Sequence, residues 1–172
     1  METAFEQILT NSHRPEMESY IVAHPKSFKE AIKLAIADKQ PYSWRAAWLL
    51  WSCMEKNDKR IRNYVKDIVH ILPNRTDNQK RELLKILEQM EIKKEYEGLL
   101  FNHCVTIWEE IDKQPSVRLS AFKILAKITQ RHPELFQEVI LLTQNQYTRS
   151  LSATVNKSIN KIMKEIRPVN FL

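Results

Sequence analysis

Apolar residues recur at helical spacing along almost the whole chain. Phe28, Ala31, Ile32, Ala35 and Ile36 fall at i, i+3, i+4, i+7 and i+8, which predicts an amphipathic helix ending near Ala37, with Ser27 and Glu30 spaced as a capping box. Before it, Thr3 and Glu6 have the same spacing ahead of the stripe Phe5, Ile8 and Leu9. His13-Arg14-Pro15 interrupts that stripe, and Met17, Tyr20 and Ile21 mark a second short helix. Beyond an Asn57-Asp58 turn, Ile61, Tyr64, Val65, Ile68, Val69 and Leu72 predict a helix that Pro73 ends. Residues 73–78 read as a loop, and Thr76 is placed to cap a helix bearing Leu83, Leu84, Leu87 and Met90. A long helix follows a break at 91–94 and carries Tyr96, Leu99, Leu100, His103, Ile107, Trp108 and Ile111. Pro115 and Pro133 each open another, and a last helix is predicted from about Thr148 to Ile166. No period-two alternation survives this reading. The pattern predicts an all-α protein of nine or ten helices.

The densest apolar stretch is Pro41 to Met54. Trp44, Trp48 and Trp51 lie at i, i+4 and i+7, while Ala46, Leu49, Leu50 and Cys53 cover much of the remaining circumference. A helix apolar nearly all round is expected to be buried and central, with the three indoles in the core. Pro41 sits near its start, and Ser43 is a candidate cap.

Arginines mark a repeat. Arg45, Arg81 and Arg118 each stand early in a helix; three residues later come Trp48, Leu84 and Ala121, and six later Trp51, Leu87 and Ile124. Arg149 is the candidate start of a fourth copy, with Ser152 breaking its pattern. A period near 36 residues built from helix pairs is the mark of a solenoid, whose units bury their apolar faces against neighbours. Pro115-Ser116-Val117-Arg118-Leu119-Ser120-Ala121-Phe122, continuing through Leu125 and answered by Pro133-Glu134-Leu135-Phe136, resembles a HEAT repeat. Ser43-Trp44-Arg45-Ala46-Ala47-Trp48 resembles the same start more loosely, and residues 78–112 depart from it, with Glu82 where a small residue belongs. The resemblance implies a short right-handed α-α superhelix of the HEAT/armadillo type. It implies one domain, with 1–40 as capping helices, 41–166 as repeat pairs and 167–172 as a tail. It also implies an interaction module without catalysis that holds a protein or peptide on its concave face.

Composition narrows the alternatives. The 172 residues hold one glycine, Gly98, which argues against tight hairpins, dinucleotide-binding turns and phosphate loops. Gly98 falls inside a predicted helix, where glycine costs about 1 kcal/mol relative to alanine unless close packing demands it. Cys53 and Cys104 are too few for a disulfide framework and read as reduced core residues. The first residues lack the basic and apolar regions of a signal peptide, and no apolar run is long enough to cross a membrane, so the expected compartment is the cytoplasm.

Candidate chemistry is thin. His103 beside Cys104 cannot form a catalytic pair, since adjacent helical positions diverge by about 100°; His103 is expected to be a core histidine. His13, His24, His70 and His132 fall near helix ends, where an imidazole meets free carbonyls. No metal-ligand spacing occurs, and no metal or cofactor is expected.

The net charge of +6 is uneven, with residues 1–24 at net −3 and residues 149–172 at net +4. Lys59, Arg62 and Lys66 share one predicted helix face, and Lys157, Lys161 and Lys164 share another. On second helices of solenoid pairs these residues would line the concave surface and could contact phosphates. That keeps open an alternative function, a nucleic-acid-binding protein related in fold to HEAT-like DNA alkylation-repair glycosylases, none of whose catalytic residues has a counterpart here. The same lysines suit the solvated outer faces of amphipathic helices.

Overall fold

A computed structural model of the chain describes residues 2–168; of the tail expected at 167–172, residues 169–172 lie outside the described part. Among the described residues there are eleven α-helices, three short 3-10 turns and no strand. The chain divides into two compact units, residues 1–92 and 93–172.

The first unit contains α1 (Ala4–Asn11), α2 (Arg14–Ala23), α3 (Pro25–Ile36), α4 (Tyr42–Cys53), α5 (Val65–Ile71) and α6 (Asp77–Gln89). α4 is central as expected, packing along α3 and α6, with α1 and α2 also against it. Of the circumference predicted to be buried, the face with Ala46, Leu49 and Leu50 is, and the indole stripe is not. Ser43, Ala46, Ala47, Leu49 and Leu50 are buried, whereas Trp44, Trp48 and Trp51 are each half-exposed. Small residues let neighbouring helix backbones approach, and an indole on the same face would hold them apart. The three tryptophans instead line the margin, each against a cation: Arg45 over Trp44, Arg14 over Trp48 and Lys85 over Trp51.

Two capping expectations hold and two do not. Thr3 and Glu6 form a reciprocal capping box, and the Thr76 hydroxyl accepts from the Gln79 N–H. Ser27, however, lies buried inside α3, which starts at Pro25. Ser43 likewise lies within α4, and its Oγ accepts the Lys39 N–H at 2.9 Å, fixing the preceding turn.

The second unit contains α7 (Lys94–Glu109), α8 (Pro115–Arg131), α9 (Phe136–Leu141), α10 (Asn145–Thr148) and α11 (Ala153–Ile166). α8 is its axis, packing on α7 and α11 with Val117, Ala121, Phe122, Ile124 and Leu125 fully buried. Trp108 is completely buried, tilted against Phe122 at 4.7 Å between ring centroids, and its indole N–H donates to the Leu142 carbonyl at 2.8 Å. The last helix, predicted from about Thr148 to Ile166, ends as expected but begins only at Ala153, because Thr148 closes the short α10. The Ser152 hydroxyl accepts the Val155 N–H and starts α11, so the serine that broke the repeat is an N-cap.

The recurring arginines acquire a physical role. The last four carbonyls of a helix have no donor within it, and a cation there also suits the helix dipole. Arg45 donates to Leu9 O at the end of α1, at 2.9 Å, and Arg118 to Trp108 O at the end of α7, also at 2.9 Å. Arg81 does not follow. It is held 2.7 Å from buried Glu82, and the end of α3 is reached instead by Arg75 (Ile36 O, 3.0 Å) and Gln79 (Ala35 O and Ala37 O, both 2.8 Å). Glu82 departs from the repeat pattern because it accepts from the Trp51 indole and pairs with both Arg81 and Lys85.

Candidate binding clefts

The predicted helix over 61–72 does not form as one piece. Asn57 adopts a left-handed φ of 53°, which asparagine tolerates, and the Asp58 carboxylate accepts the N–H groups of Glu55 and Arg60. This ties the backbone into a turn, followed by a 3-10 turn at Arg62–Tyr64, and α5 begins only at Val65. Lys59, Arg62 and Lys66 are all exposed, but they sit on a turn, a 3-10 turn and an α-helix rather than on one helix face.

Of these three, Lys59 borders a cleft. α5 packs against α3, and the segment leading into it lies beside the first turns of α3. Between them is an open cleft of about 490 Å³ whose lining includes Lys26, Lys29, Lys59 and Arg60, with Phe28, Ile32 and Tyr64 as its apolar part. No carboxylate lines it. Lys26, Lys29 and Lys59 are exposed, while Arg60 is fixed: its Nη2 lies 2.6 Å from Asp58 Oδ2, and its guanidinium is stacked 3.5 Å above the Phe28 ring. The Arg60 hydrogen bonds hold the Asp58 carboxyl down at a pKa of about 2. Lys26 and Lys29 sit three residues apart on the polar side of α3, a weak signal by itself. Nothing in the sequence reveals that residues 59–64 face them.

Lys157, Lys161 and Lys164 do share the exposed side of one helix, α11. Lys161 lies 4.0 Å from Glu165, and Lys164 borders a second cleft, about 430 Å³, with Phe136, Ile140 and Met163. The two sets of basic residues belong to different units.

A third cleft, about 350 Å³, was not anticipated. Buried Glu97 on α7 takes Arg131 at 2.6 Å and His132 Nε2 at 2.8 Å from the end of α8, and His132 Nδ1 lies 3.5 Å from Glu134. Gly98 borders this cleft, and a Cβ added there would meet nothing within 4 Å. The glycine is therefore not required by packing.

The remaining candidates take structural places. His24 and His70 pair through Nδ1 with the carbonyls of Tyr20 and Lys66, at 3.0 and 2.7 Å. His103 is half-buried rather than a core residue. Cys104 is fully buried and burial pushes its thiol far up; Cys53 is half-buried and raised for the same reason. Neither is an activated thiolate. Among the described residues no cluster of His, Cys, Asp or Glu could hold a metal ion, and no helix is long and apolar enough to cross a membrane.

Comparison with known families gives a match to the HEAT repeat domain over residues 1–166, which includes the first 40 residues as well as the pairs from residue 41. No curated protein and no solved structure matches the chain.

Proposed function

We propose, since the chain belongs to the HEAT repeat family, that it is a non-catalytic interaction module holding a protein or peptide partner against its helices. The observation that carries this reading is the cleft beside α3, an open groove with an apolar floor and a charged rim. Its volume of about 490 Å³ lies in the range of ligand-binding clefts, large enough for a few side chains of a bound segment. Stacking on Phe28 and pairing with Asp58 hold the Arg60 side chain in place before any partner arrives, which lowers the ordering cost of binding. The reading is tested by selecting displayed random peptides on the immobilised full chain and titrating labelled copies of those enriched. Saturable binding is expected, with slowed amide exchange in the elements that line the groove. Absence of any enriched peptide would refute it.

A second reading, nucleic-acid binding, draws support from the net charge of +6 and from the exposed lysines of α11. Anisotropy of a labelled duplex and a labelled single strand at ~50 and ~200 mM salt tests it, because several phosphate contacts would weaken binding about tenfold or more over that range. No binding at the lower salt would retire it.

A further inference from the structure

We propose that the cleft between α3 and residues 59–64 recognises an acidic peptide segment in which carboxylate side chains alternate with apolar ones. This rests on the interaction-module reading and names the chemistry of its partner.

The first support is charge. Residues 1–92 carry 15 Lys and Arg against 13 Asp and Glu, a net +2. Four of those cations, Lys26, Lys29, Lys59 and Arg60, line this one cleft, so the rest of the unit is net −2. The positive charge is concentrated where no carboxylate lines the wall. Asp58 answers Arg60 from outside the lining, and none of Lys26, Lys29 and Lys59 has an ion-pair partner among the described residues. Like charges gathered around one concavity repel one another and attract anions.

The second support is the floor. Phe28 and Ile32, almost completely buried, close the floor, and the half-buried Tyr64 presents an apolar ring beside them between the cationic walls. An occupant that satisfies both must place apolar and anionic groups within one short segment. A peptide alternating Glu or Asp with Leu or Phe does so, since successive side chains of an extended chain point to opposite sides.

The same features weigh against a nucleic-acid strand. Base stacking needs open aromatic faces. One face of Phe28 is occupied by the Arg60 guanidinium, which leaves Tyr64 alone.

The test uses the full chain and anisotropy of three labelled probes: a short peptide alternating Glu and Leu, its counterpart with Gln for every Glu, and an oligothymidine strand. The Glu-Leu peptide is expected to bind, to weaken as salt rises, and to lose at least tenfold in affinity in the double variant Lys29→Glu/Lys59→Glu. Lys157→Glu/Lys161→Glu, equal in charge change but on α11, should leave it within about twofold. All four lysines are exposed, and circular dichroism confirms that each variant is folded. Equal binding of the Gln-Leu peptide, tighter binding of the strand, or equal losses in the two double variants would each overturn the inference. If peptides selected at random still bind Lys29→Glu/Lys59→Glu unchanged, the acidic-peptide inference falls while the interaction-module reading stands.

Discussion

Replacing Arg118 gives the sharpest test of how the second unit is held together. The guanidinium is fully buried, and its bonding partners are carbonyls rather than a carboxylate: Nε donates to Trp108 O at 2.9 Å and Nη2 to Tyr147 O at 2.6 Å. It lies over the Trp108 ring at 4.6 Å, and burial lowers its pKa. Hydrogen bonds from a charged donor contribute about 1.5–3 kcal/mol each, so Arg118→Met forfeits about 3–6 kcal/mol and strands two carbonyls. Relief of the guanidinium's own desolvation and the packing of the thioether offset part of this, leaving an expected loss of about 2–4 kcal/mol. Arg118→Lys, a single point donor that cannot span both carbonyls, should fall between Met and wild type. Trp108 is the sole tryptophan of residues 93–172, so urea titration in a Trp44→Phe/Trp48→Phe/Trp51→Phe background follows this unit alone. A loss below about 0.5 kcal/mol in Arg118→Met, the scale of an ordinary surface change, would refute the assignment of Arg118 as the cap of α7.

Gly98→Ala should stabilise the second unit by about 0.5–1 kcal/mol in the same titration, because the site is helical and its Cβ meets open space; a loss would mean the glycine has a packing role. Asp58 has its folded pKa depressed to about 2, below the unfolded value of about 3.9, so its contribution is present above pH ~4 and is lost as pH falls toward 2. Asp58→Asn should therefore be less stable than wild type at neutral pH, with the gap closing by pH ~2; a constant gap contradicts the pairing with Arg60. Acrylamide should quench Trp44, Trp48 and Trp51 readily and leave a protected fraction that Trp108→Phe removes. Persistence of that fraction in Trp108→Phe would place an indole of α4 back in the core.

Much of the architecture was legible because helices are local. The stripe of α3, the Thr3 and Thr76 caps and the proline start at Pro115 all depend on residues within one or two turns of each other. The HEAT resemblance of residues 115–136 could be read for the same reason, and the family match extends it to 1–166. Errors arose where a distant partner chooses between local options, and where a local side chain outcompetes the helix for backbone hydrogen bonds. Hydrophobicity placed three tryptophans inside, but contact with α3 and α6 favours the alanine face of α4 and sends Trp51 to a buried carboxylate 31 residues away. The helix predicted from 61 begins late because Asp58 captures the backbone ahead of it, a competition between side-chain and helical hydrogen bonds that hydrophobic spacing does not register.

The sequence by itself determined the helical class, the positions of most helices and the spacing of the arginines, since each follows from periodicity and short-range hydrogen bonding. The tertiary structure alone decided what those arginines bind, and it alone decided where a cleft opens. Arg45 reaches a carbonyl 36 residues away, and the cleft cations come from two segments about 30 residues apart. Lys59 was visible as a charge from the beginning. That it stands across a cleft from Lys26 and Lys29, while Arg62 and Lys66 do not line that cleft, depends on how α5 packs against α3, and no local pattern encodes it.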